Sequence, residues 1–129
     1  MDLEQYFKDA NGFGVLSTAD ETGKVNAAIY SKPHMIDGYA CFIMNKKLSK
    51  QNLDKNPYAH FLFMEKGEGY KGLRISLEKV KEVQDEELIA SLSRRKEASM
   101  MKKENSSQYL VSFKIIKVVE LIGNKEVKI

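Results

Sequence analysis

The stretch Tyr39-Ala40-Cys41-Phe42-Ile43-Met44, running into Asn45-Lys46-Lys47-Leu48-Ser49-Lys50-Gln51-Asn52-Leu53 and closed by Asn56-Pro57, frames the whole chain. Its first six residues are apolar and read as a strand. Two lysines and then a serine follow. Serine is a favoured helix cap, so a short helix is expected to start at Ser49, whose hydroxyl would take up free backbone N–H groups. Pro57 ends it, because the residue before a proline is pushed out of the α region. A helix N-terminus beside lysine side chains suits a phosphate group. The same residues also fit a plain helix cap with solvated lysines, since lysine is mostly exposed in folded proteins.

Upstream, Asp2 to Ala10 carries Leu3, Tyr6 and Phe7 at the i, i+3, i+4 spacing of one helix face, and Asn11-Gly12 ends that helix. Gly14 to Ala19 reads as a strand, Asp20 to Gly23 as a turn, and Val25 to Met35 as one continuous second strand. Asp37-Gly38 predicts a tight hairpin turn into the Tyr39 strand.

Downstream, Tyr58 to Glu65 predicts a fourth strand with Phe61 and Phe63 on one face, followed by a glycine-rich connection from Gly67 to Gly72. From Leu73 to Val83, Leu73, Ile75 and Leu77 alternate with Arg74, Ser76 and Glu78, the pattern of a strand with one buried face. Asp85-Glu86-Glu87 opens a third helix with Leu88, Ile89 and Leu92 as its buried stripe. Arg94, Arg95 and Lys96 place cations at its end, where the helix dipole favours them. Ala98 to Gln108 is polar and loop-like. Tyr109 to Ile122 is a long last strand whose alternation slips between Ile115-Ile116 and Val118-Val119, which predicts a bulge or burial on both faces. Six strands, mostly joined by hairpins or short links, with three short helices between them, predict a mainly β domain closing into a small barrel. Closure removes exposed strand edges.

At 129 residues, with 43% hydrophobic and 30% charged residues, the chain has the make-up of one soluble domain spanning residues 1–129. No run is long enough to span a bilayer, and the N-terminus carries Asp2 and Glu4 where a secretory signal carries basic residues; a cytoplasmic protein without a membrane partner is expected. The net charge of +3, from 21 basic and 18 acidic residues, is too balanced to argue for nucleic acid. Cys41 is the only cysteine and lies in an apolar run, so a buried small side chain is expected there rather than a nucleophile.

His34 and His60 are the only histidines, and no Cys/His spacing fits zinc, so no metal site is expected. No glycine-flanked serine resembles a nucleophile elbow. The glycines at 67, 69 and 72 are one residue short of a dinucleotide fingerprint and precede a strand, so they read as a loop. An enzyme built from these residues would borrow its reactivity from a cofactor. The small residues of Asn26-Ala27-Ala28-Ile29 would let a flat ring lie against a strand, although ordinary strand packing explains them as well.

In order, Gly12-Phe13-Gly14-Val15-Leu16-Ser17-Thr18, Val25-Asn26-Ala27-Ala28-Ile29-Tyr30, Phe42 to Leu53, Asn56-Pro57-Tyr58-Ala59, Gly69 to Arg74 and Val111-Ser112-Phe113-Lys114 resemble the pyridoxamine 5′-phosphate oxidase-like family, the FMN-binding split barrels. The resemblance covers nearly the whole chain, and the element from Lys47 to Pro57 is its most specific piece. It implies a six-stranded antiparallel split β-barrel with flanking helices, and a homodimer with FMN at the subunit interface. By position, Lys47 and Ser49 would hold the FMN phosphate, with Leu48 between them and Asn52 supporting the turn. Asn26, Ala27, Ala28 and Ile29 would line the ring and ribityl chain, and Ile43 and Met44 would pass beneath. Lys46 and Lys50 would add charge, and Tyr70 and Arg74 are candidates to complete the pocket of the partner subunit. The phosphate turn is shorter than the family's better-studied oxidases have and lacks their Arg-Lys pair, and their C-terminal substrate-binding Arg and His have no counterpart, so vitamin B6 oxidation is not implied. The expected function is that of an FMN-dependent oxidoreductase or reductase of a small molecule. A flavin or haem carrier without catalysis is the alternative, with His34 and His60 as the available iron ligands.

Overall fold

The computed structural model describes residues 1–93 and 108–129. Its elements are α1 (Leu3–Asp9), β1 (Gly12–Ala19), β2 (Val25–Tyr30), β3 (His34–Ile36), β4 (Tyr39–Asn45), α2 (Leu48–Lys55), β5 (Tyr58–Glu65), β6 (Gly72–Val83), α3 (Glu86–Leu92) and β7 (Gln108–Glu120). All ladders are antiparallel and form one sheet in the order β2-β1-β5-β6-β7-β4-β3.

The described residues form seven strands rather than the expected six. The run from Val25 to Met35 does not continue as one strand: Pro33 lacks an N–H and cannot extend a ladder, so β2 stops at Tyr30 and β3 resumes at His34. This break matters for function. It leaves β2 and β3 at opposite ends of the sheet, while the sheet curls to bring β2 towards β4. The Tyr30 and Phe42 rings meet edge to face with centroids 5.9 Å apart. No ladder joins β2 to β4 among the described residues, so the barrel is split along that line.

The core follows the expected alternation. Leu16, Phe61, Ile75 and Val118 stand side by side across four strands and are buried, with Phe63, Leu73 and Leu77 on the same face. Gly14 leaves room for the Phe61 ring: a Cβ at position 14 would come 2.2 Å from it. α1 seals one end through buried Leu3 and Phe7, whose ring packs 5.4 Å from that of Phe63. Asp37 and Gly38 have φ of 52° and 83°, the left-handed pair of a two-residue hairpin turn. Opposite Ser76 and Leu77 the register skips Ile116, which is the expected bulge.

Three expectations need correction. α2 starts at Leu48, one residue before Ser49, and no side chain caps it. Leu88 is exposed, so α3 buries Ile89 and, in part, Leu92 instead of a three-residue stripe. The strand expected from Tyr109 to Ile122 begins at Gln108 and ends at Glu120. Arg94, Arg95, Lys96 and nearly all of the expected Ala98–Gln108 loop lie outside the described residues. No helix of the described residues is long and apolar enough to cross a membrane.

Candidate functional site

A cleft of about 350 Å³ opens where the barrel is split. Asn26, Ala28, Ile29 and Tyr30 of β2 form one wall, Ile43 and Asn45 of β4 form the floor, and Lys47, Leu48 and Ser49 close the end. Strand alternation explains the floor: Ile43 and Asn45 face the cleft, and Met44 between them points into the core and is buried. Met44 is thus not a lining residue. Ala27 is exposed and does not line the cleft, Lys46 is exposed beyond its rim, and Asn52 lies behind it. Tyr30 and Asn45 are lining residues that sequence reading missed. The signal was present in both cases, since Tyr30 continues the alternation of Asn26 and Ala28, and Asn45 that of Ile43.

The end formed by α2 is electropositive for two reasons. Among the described residues, Lys47 is the only charged one lining the cleft. The first backbone N–H groups of α2 have no acceptor within the helix and receive none from a capping side chain. The other two helices differ: Asp2 accepts from Gln5 N–H in α1, and Asp85 from Leu88 N–H in α3. Ser49 does not act as a cap because it lies inside the first turn, Lys47 holding the cap position; its hydroxyl instead accepts from Asn26 Nδ2 at 3.3 Å. Burial raises the Tyr30 phenol above its ordinary range, partly offset by a hydrogen bond with Ser49. Asn52 is buried and donates to Thr18 Oγ1 at 3.1 Å, which fastens α2 to β1.

Lys50 is no part of the charge at the cleft. It is buried, with Nζ 2.7 Å from Asp54 Oδ1, 3.1 Å from Glu82 Oε1 and 4.3 Å from the centre of the Tyr109 ring. Lys79 joins the same two carboxylates, so the cluster is neutral overall.

Asn45 has the opposite problem. Its Oδ1 is buried without a hydrogen-bond partner, the one such side-chain atom among the described residues. An unsatisfied carbonyl of this kind costs ~1–3 kcal/mol, and here it belongs to a residue of the cleft floor.

The remaining reactive groups lie elsewhere. Cys41 is buried with Sγ 3.3 Å from Ser112 Oγ, and burial raises its thiol. His34 lines a different cleft, beside Glu4 and Phe7, and His60 sits on β5 with Nδ1 3.5 Å from Ser76 Oγ. No three potential metal ligands cluster among the described residues. Tyr70 is exposed, and Arg74 donates to the carbonyls of Glu120 and Gly123.

A split antiparallel barrel with a cleft between an edge strand and a helix N-terminus is the architecture of the FMN-binding split barrels. The chain belongs to the pyridoxamine 5′-phosphate oxidase family, whose model matches residues 3–119. Among solved structures it is similar to an FMN-binding protein from Syntrophomonas wolfei, at 19% identity and a TM-score of 0.68 over 93% of this chain and 84% of that one. It is similar to General Stress Protein 26 from Bacillus anthracis, at 15% identity and 0.70 over the full length of both chains. The heme storage protein HutZ from Vibrio cholerae superposes at 17% identity and 0.69, over 93% of this chain and 95% of that one. At these identities the likeness shows the fold. No curated protein matches the sequence.

Proposed function

We propose that the chain is an FMN-binding flavoprotein that works as a homodimer and acts as an oxidoreductase on a small molecule. The observation that carries this reading is the uncapped N-terminus of α2 opening, with Lys47, into a cleft whose other lining residues, among those described, are uncharged. A dianionic phosphate fits that end, because backbone N–H groups and a lysine both favour negative charge there. Ala28 leaves room for a flat ring against β2, and Ile43 offers an apolar floor. Leu48 and Ile29, both exposed at the mouth, would keep water from the ring's surroundings. When bound, FMN supplies reversible two-electron chemistry that no side chain of the cleft can provide.

The dimer is supported by the sheet face turned away from the core. Ile29, Val15, Leu62, Arg74 and Val119 lie in register across it, with Phe13 and Met64 beside them. Ile29 is 71% exposed and Phe13 46%. A mostly apolar row of this kind, with Arg74 as its one charged member, suits a second copy of the same surface. It reaches the cleft through Ile29, so a partner placed there would also cover the cleft mouth.

Haem carriage is favoured by likeness to the heme storage protein, but both histidines lie outside the α2 cleft. The reading is tested by saturating purified protein with FMN. Quenched or shifted flavin fluorescence with one flavin per chain, on a species of twice the chain mass in sedimentation, is expected. A protein that takes up no flavin colour on saturation with FMN, and that binds added haem in a separate titration, would replace it.

A further inference from the structure

We infer that Asn45 reads the hydroxylated chain of the ligand, and that the cleft therefore selects a ribityl-bearing flavin over a porphyrin. This inference rests on the flavin reading of the cleft. Its starting point is the buried, unpartnered Oδ1 of Asn45, on a residue that lines the cleft and has no other side-chain hydrogen bond among those of the described residues. Rotation about χ2 of an asparagine is soft and roughly two-fold, so either end of the amide can be turned to the cleft at little cost. A hydroxyl satisfies either end, since it both donates and accepts.

The position of Asn45 decides which part of a ligand it meets. Ile43, Asn45 and Lys47 follow one another along the cleft, all lining it. Ile43 and Asn45 are one two-residue strand step apart, about 6.6 Å, and the chain then bends at Lys46 to bring Lys47 to the start of α2. Lys47 holds the extended backbone of a strand, and its N–H is fixed to the Asn45 carbonyl at 2.8 Å. The cleft thus presents an apolar side chain, then an uncharged amide, then a cation with free helix N–H groups. A flavin mononucleotide presents an aromatic ring, then a chain of hydroxyls, then a phosphate, in the same order. A porphyrin has no hydroxyls, and its carboxylates only accept hydrogen bonds, so it can meet the Nδ2 end of the amide but never the Oδ1 end, whereas a chain of hydroxyls can meet both.

Three flavins separate the parts. FMN, riboflavin and lumiflavin, which lacks the ribityl chain, are titrated against wild type, Asn45→Leu and Asn45→Ala by flavin fluorescence, with a thermal melt of each protein without ligand. The expected result is a loss of about tenfold in affinity for FMN and for riboflavin in both variants, with lumiflavin affinity unchanged and a melting temperature equal to or above wild type. An equal loss for lumiflavin would overturn the inference, because the amide would then serve the ring. Unchanged affinity for all three would overturn it too. If wild type binds none of the three, the flavin reading itself fails.

Discussion

Asn26 Nδ2 donates to Ser49 Oγ across 3.3 Å, and this bond ties the edge strand β2 to the first turn of α2. It holds the two walls of the cleft together. Separately, no side chain caps the first backbone N–H groups of α2.

Asn52→Ala tests the second tie. Asn52 donates to Thr18 Oγ1 at 3.1 Å, and both groups are buried. Removing the amide leaves the threonine hydroxyl without this partner and frees α2 from β1. A loss of ~1–3 kcal/mol in folding stability is expected from denaturant unfolding. FMN affinity should fall with it, since α2 carries the anion-binding end.

Lys50→Met removes a buried cation from a four-charge cluster. Asp54 and Glu82 then face each other with Lys79 alone to neutralise them. Breaking a buried pair costs ~3–5 kcal/mol, but these carboxylates keep contact with water, which screens them, so a loss of ~1–3 kcal/mol is expected. Urea unfolding measures it. A Lys50→Met variant as stable as wild type would show that the cluster contributes nothing net.

Stability should fall in two stages on acidification. Burial and then the Arg74 charge hold the His60 imidazole below its ordinary value of 6.5. The unfolded chain therefore binds the proton more readily, so this contribution is present above pH 6.5 and is lost progressively below it. For Asp54 and Glu82, burial raises the carboxyl, but the hydrogen bonds from Lys50 and Lys79 outweigh it and hold both below their ordinary values of 3.8 and 4.5. Their contribution is present above those values and is lost as the pH drops through the lowered ones. His60→Asn should abolish the first stage and leave the second, as followed by thermal melts between pH 7 and pH 3. A first stage that persists in His60→Asn would assign it to another group.

Local patterns explain why much of the barrel was readable before any coordinates. Asp37-Gly38 marks its turn because few residues accept two left-handed positions in a row. Phe61 and Phe63 are both fully buried, as their spacing requires, and the doubled apolar pairs around Lys117 announce the skipped Ile116. The exceptions depend on partners distant in sequence. Nothing near Lys50 reveals that Glu82 and Tyr109 enclose it. Nothing near Ser49 reveals Asn26, so a capping role was the natural local reading. At the cleft, Asn26, Ala28, Ile29, Ile43, Lys47, Leu48 and Ser49 were legible through the family's motif order, whereas Tyr30 and Asn45 needed the strand alternation carried one step further.

The central claim is that Lys47 and the start of α2 grip a phosphate. Equilibrium titration of FMN and of riboflavin against wild type and Lys47→Ala tests it most directly. A charge-assisted contact contributes ~1.5–3 kcal/mol, so Lys47→Ala should weaken FMN about tenfold to a hundredfold and leave riboflavin unchanged. Equal FMN affinity in the two proteins, or an equal loss for both flavins, would contradict it.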